Sequence, residues 1–111
     1  MEGNGVWKNN ILNKYSELVK DISGVFAEIG VAYGDTFNRL IPLSFSQGKE
    51  LHGFDSFEGM SAPGEFDTKF HYEGKFNAGG LDGFKKRIKN FGYNENEYIL
   101  HKQQFVNATI L

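Results

Sequence analysis

"FAEIGVAYGDTFNRL" (residues 26–40) decides how this chain folds. Its first part is apolar, it turns through Gly30 and Gly34, and it restarts with Phe37, Leu40 and Ile41 at helical spacing. The run "VFAEIG" (25–30) is too short for a helix and too apolar for an exposed loop, so it is expected as a buried strand. Asp35 or Thr36 stands where a helix N-cap belongs, and Pro42 is expected to kink or end the helix that follows.

Working outward, "NNILNKYSELVKDI" (9–22) sets Ile11, Leu12, Tyr15, Leu18, Val19 and Ile22 on one face of an amphipathic helix. Trp7 and Tyr15 are expected to be packing residues of that helix. "ELHGFD" (50–55) reads as a second strand, "LDGFKKRIKNFG" (81–92) as a helix stopped by Gly92, and "EYILHKQQF" (97–105) as a third strand. Strands alternating with helices predict an α/β fold with a parallel sheet built from right-handed crossovers. The polar, glycine-rich stretch 56–80 is long for a loop, and its Phe66, Phe70, Tyr72 and Phe76 suit either a lid or a satellite core. The expected organisation is an N-terminal helical segment, 1–23, and a ligand-binding α/β unit, 24–111.

The 111 residues, 40% of them hydrophobic, suit one domain. A net charge of −2 gives no electrostatic footprint for nucleic acid, and the cluster Lys85-Lys86-Arg87-Lys89 reads as a solvated helix face. Absence of cysteine excludes disulfides, thiolate nucleophiles and Cys-type zinc sites. "MEGNGVWKNN" has no apolar signal region and no run suits a membrane helix, so a soluble cytoplasmic protein without membrane partners is expected. His52, His71 and His101 lack metal-ligand spacing, and no metal site is expected from them.

In open parallel sheets, ligands sit beyond the carboxyl ends of the strands. Gly30 and Gly34 follow the first strand, where glycine allows a sharp turn and close approach of a ligand. Asp55 ends the second strand, 21 residues after Gly34, where a carboxylate can accept both hydroxyls of a ribose. Glu58 is expected to cap the turn that follows. Ala32 breaks the G-x-G-x-x-G pattern of a pyrophosphate cofactor, and no Gly-Lys-Ser/Thr exists for a nucleoside triphosphate. Glu28 would repel a diphosphate but suits the ammonium end of an amino acid. E-x-G-x-x-x-G therefore fits S-adenosylmethionine best, with a plain βα turn bearing a solvent-facing acid as the simpler alternative.

The stretches "FAEIGVAYGDTFNRL", "GFDSFEG" (53–59) with its Pro/Gly/acid-rich continuation, "GKFNAGGLDGFKKRIKNFGYN" and "QFVNATI" together resemble the macrocin O-methyltransferase family of class I S-adenosylmethionine-dependent methyltransferases. The resemblance runs from about residue 24 to 111 and covers the N-terminal part of such an enzyme. It implies a Rossmann-like sheet, represented by its first three strands, and methyl transfer to a hydroxyl of a small, sugar-like acceptor. By the same resemblance Glu28, Gly30 and Gly34 line the methionine end of the cofactor, Tyr33 also belongs to the cofactor site, and Asp55 holds the ribose. Ser56 and Phe57 flank ribose and adenine, and Gln104 and Phe105 meet the adenine edge. A divalent metal and the general base are implied to come from segments after a fourth strand, so no catalytic or metal residue is assigned. In that topology strand one is normally paired by strand four, so self-association through an exposed sheet edge is also expected. The competing expectation is a non-catalytic nucleoside-binding or interaction module.

Overall fold

The computed structural model describes residues 4–58 and 79–103. In chain order these form α1 (Asn4–Leu18), β1 (Phe26–Ile29), α2 (Phe37–Ser46), β2 (Leu51–Asp55), α3 (Gly80–Asn90), a 3-10 turn at Glu95–Glu97, and β3 (Ile99–Lys102). The strands make one parallel sheet in the order β1-β2-β3, the expected α/β architecture. Phe66, Phe70, Tyr72, Phe76, Gln104 and Phe105 lie outside the described residues.

Register assigns the two faces of the sheet. Phe26 lies beside Leu51, Glu28 beside Gly53, and Gly53 beside Leu100, so these residues share one face. That face carries α2 and α3. Phe37 and Phe84 are fully buried on it, and Phe37 meets Phe84 and Tyr98 edge-on at centroid distances of 5.6 and 5.5 Å. A Cβ at Gly53 would lie 2.7 Å from the Phe37 ring, so a bare backbone is what lets α2 approach β2 so closely. The other face holds Ala27, Ile29, His52, Phe54, Ile99 and His101, and no described helix packs its buried side chains there. Phe54 and His101 stack at 4.3 Å on that face, and His52 Nδ1 lies 2.8 Å from His101 Nε2.

Three expectations are corrected. Of the kink or end expected at Pro42, the end does not occur: helix α2 runs through Pro42 to Ser46. Proline inside a helix costs about 3 kcal/mol, but Phe37, Ile41 and Ser44 are buried against the sheet and hold the helix on both sides of it. Helix α1 spans Asn4–Leu18 and not 9–22. Its end is set by side chains remote in sequence: Gln47 Nε2 donates to the Ser16 carbonyl (2.7 Å) and Lys49 Nζ to that of Val19 (2.6 Å). Trp7, Tyr15, Leu18 and Ile22 are not packing residues: each is about 60% exposed or more. α1 packs along α2, through Arg39 to the Gly5 carbonyl, and finds no further layer of described residues on its other side. Gly92 does end α3, at φ 105°. Its N–H donates to Lys89 and the next, of Tyr93, to Ile88, the pairing of a Schellman motif.

Candidate functional site

The carboxyl ends of β1 and β2 meet at Asp55. Its Oδ2 accepts the backbone N–H groups of Val31 (2.9 Å) and Ala32 (3.2 Å), and its Oδ1 accepts that of Phe57 (3.0 Å). Ala32 and Phe57 are the non-glycine residues with left-handed backbone among those described, at φ 48° and 58°. Such conformations cost roughly 1–3 kcal/mol each and persist where surrounding bonds over-determine them. One carboxylate therefore holds both strained turns. Three of its about four acceptor positions are used, leaving room for one incoming donor. The turn after β2 is closed by Asp55 and by Ser56 Oγ, which accepts the Glu58 N–H at 3.2 Å. Glu58 does not cap it: its side chain pairs with Lys102 at 3.5 Å.

The two glycines of the first turn differ. Gly34, at φ 85°, has no space for a side chain, because a Cβ there would lie 2.8 Å from Ile88 Cδ1 and 3.1 Å from Phe84 Cε2. The expected ligand approach at Gly34 is thus replaced by packing of α3. Gly30, at φ 82°, has open space where its Cβ would be. Phe57 is turned into the core, 5% exposed and edge-on to Phe84 at 5.4 Å, so its ring lies with the core aromatics. Tyr33 stays half-exposed, with the Arg87 guanidinium 5.4 Å from its ring centre.

Electrostatically this end of the sheet is acidic. Burial pushes the Glu28 carboxyl up to about 7; Asp55 and Asp35 push the same way, and Lys8 partly opposes them. Glu28 Oε1 is buried and has no hydrogen-bond partner among the described residues. Asp35 bonds Lys8 of α1 and, at 3.2 Å, Arg39 of α2; chiefly the Lys8 hydrogen bond holds it below its ordinary 3.8. Lys8 was not legible as a site residue. It stands 27 positions from Asp35 and joins the cluster only because α1 lies along α2. At the other end of the group, the Gln103 N–H donates to the Asp55 carbonyl at 2.8 Å and brings the end of β3 against Asp55. The unpartnered Glu28 oxygen and the remaining acceptor position of Asp55 suit a ligand that combines a cation with hydroxyl groups. Among the described residues no group of three or more His, Cys, Asp or Glu is disposed to hold a metal. Nor, among them, is any helix long and apolar enough to cross a membrane.

No family model matches the sequence, and no curated protein matches it. Among solved structures, the crystal structure of the calicheamicin methyltransferase CalS11 superposes with a TM-score of 0.69 at 18% identity, over 88% of this chain. The chain has a methyltransferase-type Rossmann-like fold. The match spans 44% of the CalS11 chain. At that identity the likeness carries the fold, and it does not single out the macrocin O-methyltransferase family.

Proposed function

We propose that this chain is the S-adenosylmethionine-binding part of an O-methyltransferase whose acceptor is a hydroxyl of a small, sugar-like molecule. The observation that carries the reading is Glu28, a buried carboxylate oxygen without a partner among the described residues, two positions from the open turn at Gly30. A buried carboxylate is stabilised by a cation, and the cofactor's amino-acid end supplies an ammonium. Asp55 retains one acceptor position for a ribose hydroxyl. When bound, the cofactor supplies an activated methyl group on a sulfonium; the residues of this chain bind and orient it. The fold shared with a methyltransferase supports the same assignment. No residue here is assigned as base or metal ligand.

Calorimetric titration with S-adenosylmethionine, S-adenosylhomocysteine and NAD tests the reading. Binding of the first two and not of NAD is the expected result; NAD binding, or none at all, refutes it.

A further inference from the structure

Two cations reach the Asp35 carboxylate from different helices. Arg39 of α2 donates to Oδ1 at 3.2 Å, and Lys8 of α1 donates to Oδ2. Their other bonds set them apart. The Arg39 guanidinium also donates to the Gly5 carbonyl (3.1 Å) and to Asn9 Oδ1 (3.2 Å), both on α1. A Cβ at Gly5 would lie 3.2 Å from that guanidinium, so α1 meets Arg39 through bare backbone. Arg39 therefore docks α1 on α2. Lys8 makes one hydrogen bond among the described residues, an ammonium has three donors, and the side chain is 30% exposed. An exposed ion pair stabilises a fold little, so docking does not account for Lys8.

The first turn sets where Lys8 stands. Asn38 Nδ2 donates to the Gly34 carbonyl at 2.8 Å and also to that of Asp35, and Arg39 Nε donates to the Asp35 carbonyl at 3.1 Å. Asp35 is thus fixed just after the glycine turn. It holds the Lys8 ammonium at the carboxyl end of β1, the end at which Gly30 is open. Glu28 lies at the same strand end with a buried oxygen that has no partner among the described residues. Of the charges that act on Glu28, Asp55 and Asp35 are negative and Lys8 is positive. One end of β1 therefore offers an acceptor for a cation and, within its electrostatic reach, a donor for an anion.

We propose that Lys8 binds the carboxylate of the cofactor's amino-acid end while Glu28 takes the ammonium, so that the site selects a zwitterion and α1 forms one wall of it. This rests on the reading of the site as one for S-adenosylmethionine. An α-amino acid carries both charges on one carbon. Glu28 alone would accept any amine, and Asp35 and Asp55 would repel a carboxylate. Lys8 offsets that repulsion, and its remaining donors make charge-assisted hydrogen bonds to the incoming oxygens. Asp35 is a positioning residue: by accepting one N–H of Lys8 it aims the others.

Three ligands separate these contributions in calorimetric titration: S-adenosylmethionine, its decarboxylated analogue, which keeps the ammonium, and methylthioadenosine, which has neither group. The unmodified chain should bind S-adenosylmethionine at least tenfold tighter than the decarboxylated analogue. Lys8→Met should erase that preference, weakening S-adenosylmethionine at least tenfold and leaving the other two ligands unchanged. Lys8→Arg, which keeps the charge, should retain most of it. Glu28→Gln should weaken both amine-bearing ligands and spare methylthioadenosine. Equal losses for all three ligands in Lys8→Met would make Lys8 a docking residue and overturn the proposal. So would an unchanged affinity for S-adenosylmethionine in that variant, or no preference for the carboxylate in the unmodified chain. In each of those outcomes the unmodified chain still binds S-adenosylmethionine, and the reading of the site stands. A chain that binds none of the three ligands refutes that reading and this proposal together.

Discussion

Replacing Glu28 by Gln removes one ionisable group and little else in shape, so its consequence can be worked through from the site. The native carboxyl is pushed from 4.5 to about 7, chiefly by burial. Between those values the unfolded chain has released the proton while the folded chain keeps it. Stability therefore falls as pH rises through this window, and the penalty is complete above the folded value. At about 1.36 kcal/mol per pKa unit the ceiling is about 3 kcal/mol; water reaches a half-buried carboxylate and reduces this to roughly 1–2 kcal/mol. Two other shifted groups act outside the window. Asp35, held below 3.8, withdraws its contribution only as the solution becomes more acidic than that, and Tyr98, raised above 10 mainly by burial, acts only in strong alkali. Urea unfolding of both proteins, at one protein concentration, should give nearly equal stability at pH 4.5. At pH 8 the Gln variant should be more stable by roughly 1–2 kcal/mol. Parallel profiles for the two proteins would show that Glu28 is not held in a desolvated, unpartnered state.

If the cofactor's ammonium pairs with Glu28, binding at pH 6.5 should release about three-quarters of a proton, read as a dependence of the binding enthalpy on buffer ionisation; the Glu28→Gln variant should show none. Asp55→Asn should cost about 1–3 kcal/mol of stability in urea unfolding, by weakening the bonds from Ala32 and Phe57, and should lower S-adenosylmethionine affinity tenfold or more. Gly30→Val and Gly34→Ala should separate the roles of the two glycines. Gly34→Ala meets Ile88 and Phe84 and should lose roughly 2–4 kcal/mol of stability. Gly30→Val has space for its side chain but strains the backbone at φ 82°, so it should lose roughly 1–3 kcal/mol of stability without the packing clash of Gly34→Ala, and cofactor binding should be lost in the calorimetric titration.

Much of the fold was legible in the sequence because it rests on local periodicity. "VFAEIG", "ELHGFD" and the 3.6-residue spacing of Phe84 and Ile88 each favour one element whatever surrounds them, and their alternation allows few arrangements other than a parallel sheet. The same local chemistry marked Gly30, Gly34 and Asp55 as the turn residues beyond the strands. It could not say what each glycine was for. That depends on whether Ile88 and Phe84 of α3, more than 45 positions away, fill the space over Gly34 and leave Gly30 open. Asp55 as the holder of two left-handed residues and Lys8 as the partner of Asp35 are likewise products of packing between distant segments. So is the charge state of Glu28, since desolvation is a property of everything around a group and of nothing in its own sequence neighbourhood. Helix α1 makes the point in reverse: its apolar stripe promised burial, but a stripe specifies only what a helix offers. Whether Tyr15, Leu18 and Ile22 are covered depends on a surface opposite them, and among the described residues none buries them.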